Sequence, residues 1–147
     1  MKGDEGAFFD TNILAYAFDE SDENRRRPCE KLVRSGFQGD ASCYVSNQVL
    51  SELYVVITRH VRRPLSKEKA RTIVCGFVDS SKWKKINYNH LTVKRTLEDM
   101  KLINISFWDI LIAETMRDAG VTTIYTENER DFGKIPWVSV ENPIKAH

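Results

Sequence analysis

Short apolar runs alternate with longer stretches of helical periodicity along the whole chain. Residues 6–10 carry Ala7-Phe8-Phe9 without a polar interruption, which predicts a short strand buried on both faces. From residue 11 to about 18 the pattern turns helical, with Ile13, Leu14 and Ala17 on one face. Residues 19–27 are dense in charge and read as a solvated turn. Pro28 suits the first turn of a second helix, with Leu32 and Val33 apolar and Gly36 near its end. Residues 42–45 predict a second strand. Ser46 or Asn47 then caps a helix running to about Arg59, and Pro64 breaks the chain. Ser66 opens another helix that turns Ala70, Ile73, Val74 and Phe77 inward. Residues 83–88 predict a strand, and residues 90–103 a helix with Leu91, Val93, Leu97 and Met100 as core contacts. Ser106 caps a helix through Met116, which Gly120 ends. Residues 121–126 and 136–140 predict the last two strands.

Strands alternating with helices imply an α/β fold with a mostly parallel sheet covered on both faces. In open sheets of this kind, ligands bind beyond the carboxyl ends of the strands. Four acids break the apolar pattern at that edge. Asp10 ends the first apolar run. Glu52 sits within Val49-Leu50-Ser51-Glu52-Leu53-Tyr54-Val55-Val56-Ile57, Asp109 interrupts Phe107-Trp108-Asp109-Ile110-Leu111, and Asp131 follows Thr123-Ile124-Tyr125-Thr126 by a few residues. An ionised carboxylate in apolar surroundings is costly unless something pairs with it. Each acid also has a structural explanation. Asp10 can cap the next helix, Ser106-Phe107-Trp108-Asp109 has the form of a capping box, and Asp131 can be an ordinary loop residue. Glu52 resists this treatment best, because its helical neighbours Val49, Val55 and Val56 are apolar.

Composition narrows the chemistry. The 147 residues fit one domain, and a net charge of +1 argues against a strongly electrostatic, non-specific nucleic-acid binder. Local basic clusters remain: Arg25-Arg26-Arg27, then Arg59 with Arg62 and Arg63, then Lys82 with Lys84 and Lys85. The three cysteines are odd in number and have no CxxC spacing, which favours a reduced, cytoplasmic setting over a disulfide scaffold. The polar, acidic start of the chain is not a signal peptide, and no apolar run approaches a membrane span. His60, His90 and His147 are scattered, and the glycines fit no phosphate-binding loop. Carboxylates without His or Cys favour hard divalent cations such as Mg²⁺ or Mn²⁺. A water on such an ion can be activated to attack a phosphodiester.

The acids also carry a resemblance. Phe9-Asp10-Thr11-Asn12-Ile13-Leu14 resembles the opening motif of PIN-domain nucleases, and Ser46-Asn47-Gln48-Val49-Leu50-Ser51-Glu52 the second. Phe107-Trp108-Asp109-Ile110-Leu111-Ile112-Ala113 is similar to the third, and Thr126-Glu127-Asn128-Glu129-Arg130-Asp131-Phe132 to the last. The four occur in the family's order over nearly the whole chain, as one domain spanning residues 1–147. The resemblance implies a three-layer PIN-like fold with a parallel sheet of four or five strands. It implies a Mg²⁺- or Mn²⁺-dependent ribonuclease of the VapC toxin type, homodimeric and silenced by an antitoxin protein. By motif, Asp10, Glu52, Asp109 and Asp131 would be the catalytic and metal-binding acids, with Thr11, Asn12, Thr126 and Asn128 as polar support. Many relatives carry an acid where this chain has Asn128, so Glu127 and Glu129 stand as alternatives to Asp131. Arg59, Arg62 and Arg63 would hold RNA phosphates flanking the scissile bond. Two other functions fit the same motifs: an RNA-processing PIN nuclease without an antitoxin, and an idle PIN-like domain used for RNA binding or docking.

Overall fold

The computed structural model of the chain describes residues 6–145, so the reading of the chain's start and His147 lie outside the described residues. Five short parallel strands form one sheet in the order β3-β2-β1-β4-β5. They are β1 (Ala7–Phe9), β2 (Cys43–Ser46), β3 (Trp83–Ile86), β4 (Thr123–Tyr125) and β5 (Ser139–Glu141). The helices are α1 (Thr11–Tyr16), α2 (Glu23–Gln38), α3 (Asn47–Arg59), α4 (Lys67–Asp79), α5 (His90–Asp99), α6 (Phe107–Asp118) and the single turn α7 (Glu129–Phe132). They flank the sheet as the alternation of patterns implied.

The central strands β1 and β2 are wholly buried, which is why their sequences read as unbroken apolar runs. Edge strand β3 instead exposes Lys84 and Lys85, a pairing deterrent common on sheet edges. Phe8, Phe9, Leu14, Val45, Leu53, Ile57, Phe77, Trp83 and Ile124 belong to one continuous core. Trp83 anchors its aromatic part, with ring centroids 5.0 Å from Phe9 and 4.9 Å from Phe77.

Local sequence chemistry sets the helix ends. Ser46, Ser66 and Ser106 each accept a hydrogen bond from the backbone N–H three residues on. Gly120, at a φ of 73°, follows the end of α6 in the left-handed region.

Two expectations need correcting. The charged stretch 19–27 is not all turn: Asp22 caps α2, which starts at Glu23 and passes through Pro28. The charge belongs to a solvated helical face, where Arg26 bridges Glu23 and Glu30, and Arg34 also pairs with Glu30. Gly36 lies near the end of this helix, as the sequence implies. It lies against Trp83, where a Cβ would come within 2.6 Å of the indole, and Gly39 at φ 77° makes the C-terminal stop. In α5 the buried residues are Thr92 and Thr96, while Leu91, Leu97 and Met100 are exposed. The reason is the partner helix: α5 packs on α6 through a polar seam. Thr92 Oγ1 donates to Asp118 Oδ2 at 2.7 Å, and Arg95 pairs with both Asp118 and Glu114.

Candidate active site

The chain leaves β1, runs outward to β2 and β3, then crosses back to β4 on the other side of β1. The carboxyl ends of β1 and β4 therefore flank a topological switch point, the usual crevice for a ligand in an open parallel sheet. Asp10 follows β1 and Thr126 follows β4. Asp10 N–H donates to the Tyr125 carbonyl at 3.0 Å, and Thr126 Oγ1 donates to Asp10 Oδ2 at 2.7 Å. The other carboxylate oxygen, Oδ1, accepts from Thr11 N–H at 2.9 Å as part of the α1 cap.

Helix α3 brings Glu52 to the same point. Thr11 Oγ1 donates to Glu52 Oε2 at 3.0 Å, and Gln48 Nε2, one turn earlier, donates to Oε1 at 3.0 Å. Helix α6 brings Asp109 in its first turn. The Ser106 hydroxyl takes the Asp109 N–H, but the Asp109 carboxylate turns to Asn128, whose Nδ2 donates to Oδ2 at 3.4 Å. The same Nδ2 donates to Asp131 Oδ2 at 3.2 Å. Asn128 itself is placed by Thr126, since its N–H donates to Thr126 Oγ1 at 3.0 Å. A chain of neutral hydroxyls and amides thus runs Glu52–Thr11–Asp10–Thr126–Asn128–Asp109, with Asp131 joined through Asn128.

Nothing cationic among the described residues enters this hydrogen-bonded chain. Among the described residues none of the four acids forms an ion pair. Burial pushes the Asp10 carboxyl up to about 6, against the opposing bonds from Thr126 and Thr11, and Asp109 and Glu52 add repulsion. Asp109 is also raised, first by burial, with repulsion from Asp131 and Glu52 acting against the Ser106 bond. The carboxylates do not close into a cage: among the described residues no three His, Cys, Asp or Glu side chains form a ready metal nest. The donor set nevertheless fits a hard cation. It is all oxygen, it is electrostatically under-compensated, and Mg²⁺ is commonly held by one or two carboxylates with water filling the rest.

The last segment also separates its acids. Glu127 accepts from the Tyr16 hydroxyl, and Glu129 is taken by Asn142 and Lys145. Asp131 is the one tied to Asp109 through Asn128.

Other expected residues do not gather here. Asn12 is exposed and lines a neighbouring cleft of about 600 Å³ with Arg25, His60 and Arg62. Arg63 lines a different cleft, with Phe18, Leu65 and Lys69. Arg59 lies seven residues past Glu52 on α3, about 10 Å along the axis. Lys84 bonds the Tyr44 hydroxyl and Lys85 the Ser80 carbonyl. Gln48 joins the expected residues through its bond to Glu52, and its place four residues earlier on the same helix is a signal readable in the sequence.

Fold and site together define an α/β protein with a carboxylate crevice at the switch point of a parallel sheet. The PIN domain family model matches residues 7–138, most of the chain, and the chain belongs to the PIN domain family. No curated protein matches it in sequence. Solved structures share the fold. VapC20 of Mycobacterium tuberculosis, described as a sarcin–ricin loop cleaving toxin, is 18% identical at a TM-score of 0.67, over 85% of this chain and 92% of that one. A toxin–antitoxin complex from Klebsiella pneumoniae is 22% identical at 0.65, over 94% and 98%. DNA-bound VapBC from Salmonella typhimurium is 20% identical at 0.65, over 95% and 98%.

Proposed function

We propose that this chain is a Mg²⁺- or Mn²⁺-dependent endoribonuclease and the toxin of a type II toxin–antitoxin pair, acting in the cytoplasm. The observation that carries the reading is the crevice between β1 and β4. There Asp10, Glu52 and Asp109, from three separate elements, are linked by hydroxyl and amide donors and have no cationic partner among the described residues. Asp131 is the fourth acid of this set. A divalent ion bound there would supply an activated water and neutralise charge building on the phosphate.

The chain's own residues prepare that site. Thr126 and the Thr11 N–H fix both oxygens of Asp10. Thr11 and Gln48 fix those of Glu52, and Asn128 spaces Asp109 from Asp131. Such outer donors orient ligand oxygens. Arg59, Arg62 and Arg63 would contact RNA away from the scissile phosphate.

An antitoxin partner is supported by the likeness to proteins solved as toxin–antitoxin complexes. A homodimer is supported by the apolar residues that α5 and the turn after it leave exposed: Leu91, Leu97, Met100 and Leu102.

Cleavage of single-stranded RNA by the purified chain, with EDTA and added Mn²⁺, tests the reading. EDTA should stop cleavage and Mn²⁺ restore it, giving 5′-phosphate ends. Activity that persists in EDTA would remove the metal from the account, and no activity on any RNA would remove the nuclease.

A further inference from the structure

The strand register places a second cleft beside the acids. Ser46 pairs with Ile86, so Asn47 and Asn87 leave the carboxyl ends of β2 and β3 side by side. With Gln48, Ser51, Glu52, Tyr88 and Trp108 they line an open cleft of about 400 Å³. Its rim is unusual for the start of a buried helix. Trp108 is 57% exposed, one residue before Asp109, with its ring held edge-on to Phe107 at 5.2 Å. A large indole presented to water beside a carboxylate centre has no packing reason to be there. The polar lining is also selective. The side-chain amides of Asn47 and Asn87 and the Tyr88 hydroxyl make no hydrogen bond to other described residues, and the cleft contains no Lys or Arg. A phosphate there would find no basic side chain in the lining, and the proposed metal ion serves the scissile phosphate at the acids. A neutral ring with donors and acceptors on its edge would meet an aromatic face and three amides.

Resting on the ribonuclease reading above, we infer that this cleft takes one unstacked nucleobase of the RNA next to the scissile bond. Trp108 stacks on the base, and Asn47, Gln48 and Asn87 face its edge. Single-stranded RNA is read in this manner, by stacking on aromatic residues and by hydrogen bonds to exposed base edges.

The test is a set of RNA oligonucleotides carrying one abasic ribose at each position in turn. They are cleaved by the wild-type chain, Trp108→Phe and Trp108→Ala in Mn²⁺. Trp108→Ala should lower kcat/KM on intact RNA about 5- to 100-fold, the range of one lost base stack, while Trp108→Phe keeps most of it. One abasic position should cost the wild type as much and Trp108→Ala almost nothing further. Equal cleavage by Trp108→Ala would overturn the proposal. So would a loss that every abasic substrate shows independently of the variant, or one that follows a dimer-to-monomer change in gel filtration. The nuclease reading is separated by binding. Quenching of Trp108 fluorescence by the same RNA in an Asp10→Asn background, absent in Trp108→Phe, supports the cleft even if the wild type cuts nothing.

Discussion

Two clusters of carboxylates sit on opposite sides of α6, and they are built by opposite rules. At the start of the helix, Asp109 joins Asp10, Glu52 and Asp131, held by hydroxyls and amides without a counter-ion. About one and a half to two and a half turns later, Glu114 and Asp118 join Asp99 of α5, and here Arg95 and Arg117 supply positive charge. Glu114 is 1% exposed. Burial, followed by the hydrogen bond and charge of Asp99, pushes its carboxyl up to about 7 despite both arginines. Asp99 Oδ2 is buried with no hydrogen-bond partner among the described residues. A proton on Glu114 would supply a donor, and two arginines offset the remaining charge of the second cluster. The first has no arginine among the described residues. A cluster balanced from within joins helices, whereas one without a counter-ion suits the divalent cation proposed above.

Removing charge should separate the two clusters most clearly. Asp10→Asn is expected to abolish RNA cleavage, by about 1,000-fold or more if a transition-state interaction of roughly 4 kcal/mol goes with it. Its thermal midpoint should not fall, because a buried charge without a counter-ion has been removed. A midpoint drop comparable to the loss of a core residue would place Asp10 with the structural cluster. Next in size is Thr126→Val, which keeps the buried shape but removes the donor to Asp10. Calorimetric titration should show Mn²⁺ affinity reduced about 10- to 100-fold, the usual consequence of losing a supporting bond to a metal ligand. Unchanged affinity would mean that Thr126 only closes the crevice.

The seam should respond in stability and not in metal binding. Arg95→Ala is expected to cost about 1–2 kcal/mol in urea unfolding, below the value for a fully buried pair because the guanidinium is partly in water. Mn²⁺ affinity should stay at the wild-type value. The smallest effect is the pH dependence of Glu114. Its folded carboxyl is raised from 4.5 to about 7, so the stability tied to its proton is present below 4.5 and lost as pH rises through 7. Glu114→Gln keeps a neutral donor and should flatten the fall in stability between pH 5 and 8 that the wild type shows. Parallel curves for the two proteins would argue that Glu114 is ionised throughout.

The sequence made the first cluster far more legible than the second. Asp10, Glu52 and Asp109 each interrupt an apolar run, and strand–helix alternation sends them to one sheet edge. Helix starts were readable because Ser46, Ser66 and Ser106 are local caps. The seam was not legible, because Thr92, Arg95 and Thr96 look like a solvated face until α6 offers Glu114 and Asp118 across from them. The same long-range pairing hid the exposure of Leu91, Leu97 and Met100. Charge density disguised the start of α2, where i,i+3 and i,i+4 pairs make a helix out of what reads as a turn. Which acid of the last segment faces Asp109 also needed three dimensions, since Glu127 and Glu129 are diverted to partners far along the chain.

Anomalous diffraction from a crystal soaked in Mn²⁺ tests the central claim most directly. The contrast between the clusters predicts an anomalous peak among the Asp10, Glu52 and Asp109 oxygens, with none at the α5–α6 seam. A saturating soak that leaves the β1–β4 crevice without a peak, or puts manganese on Asp99 and Glu114, would contradict it.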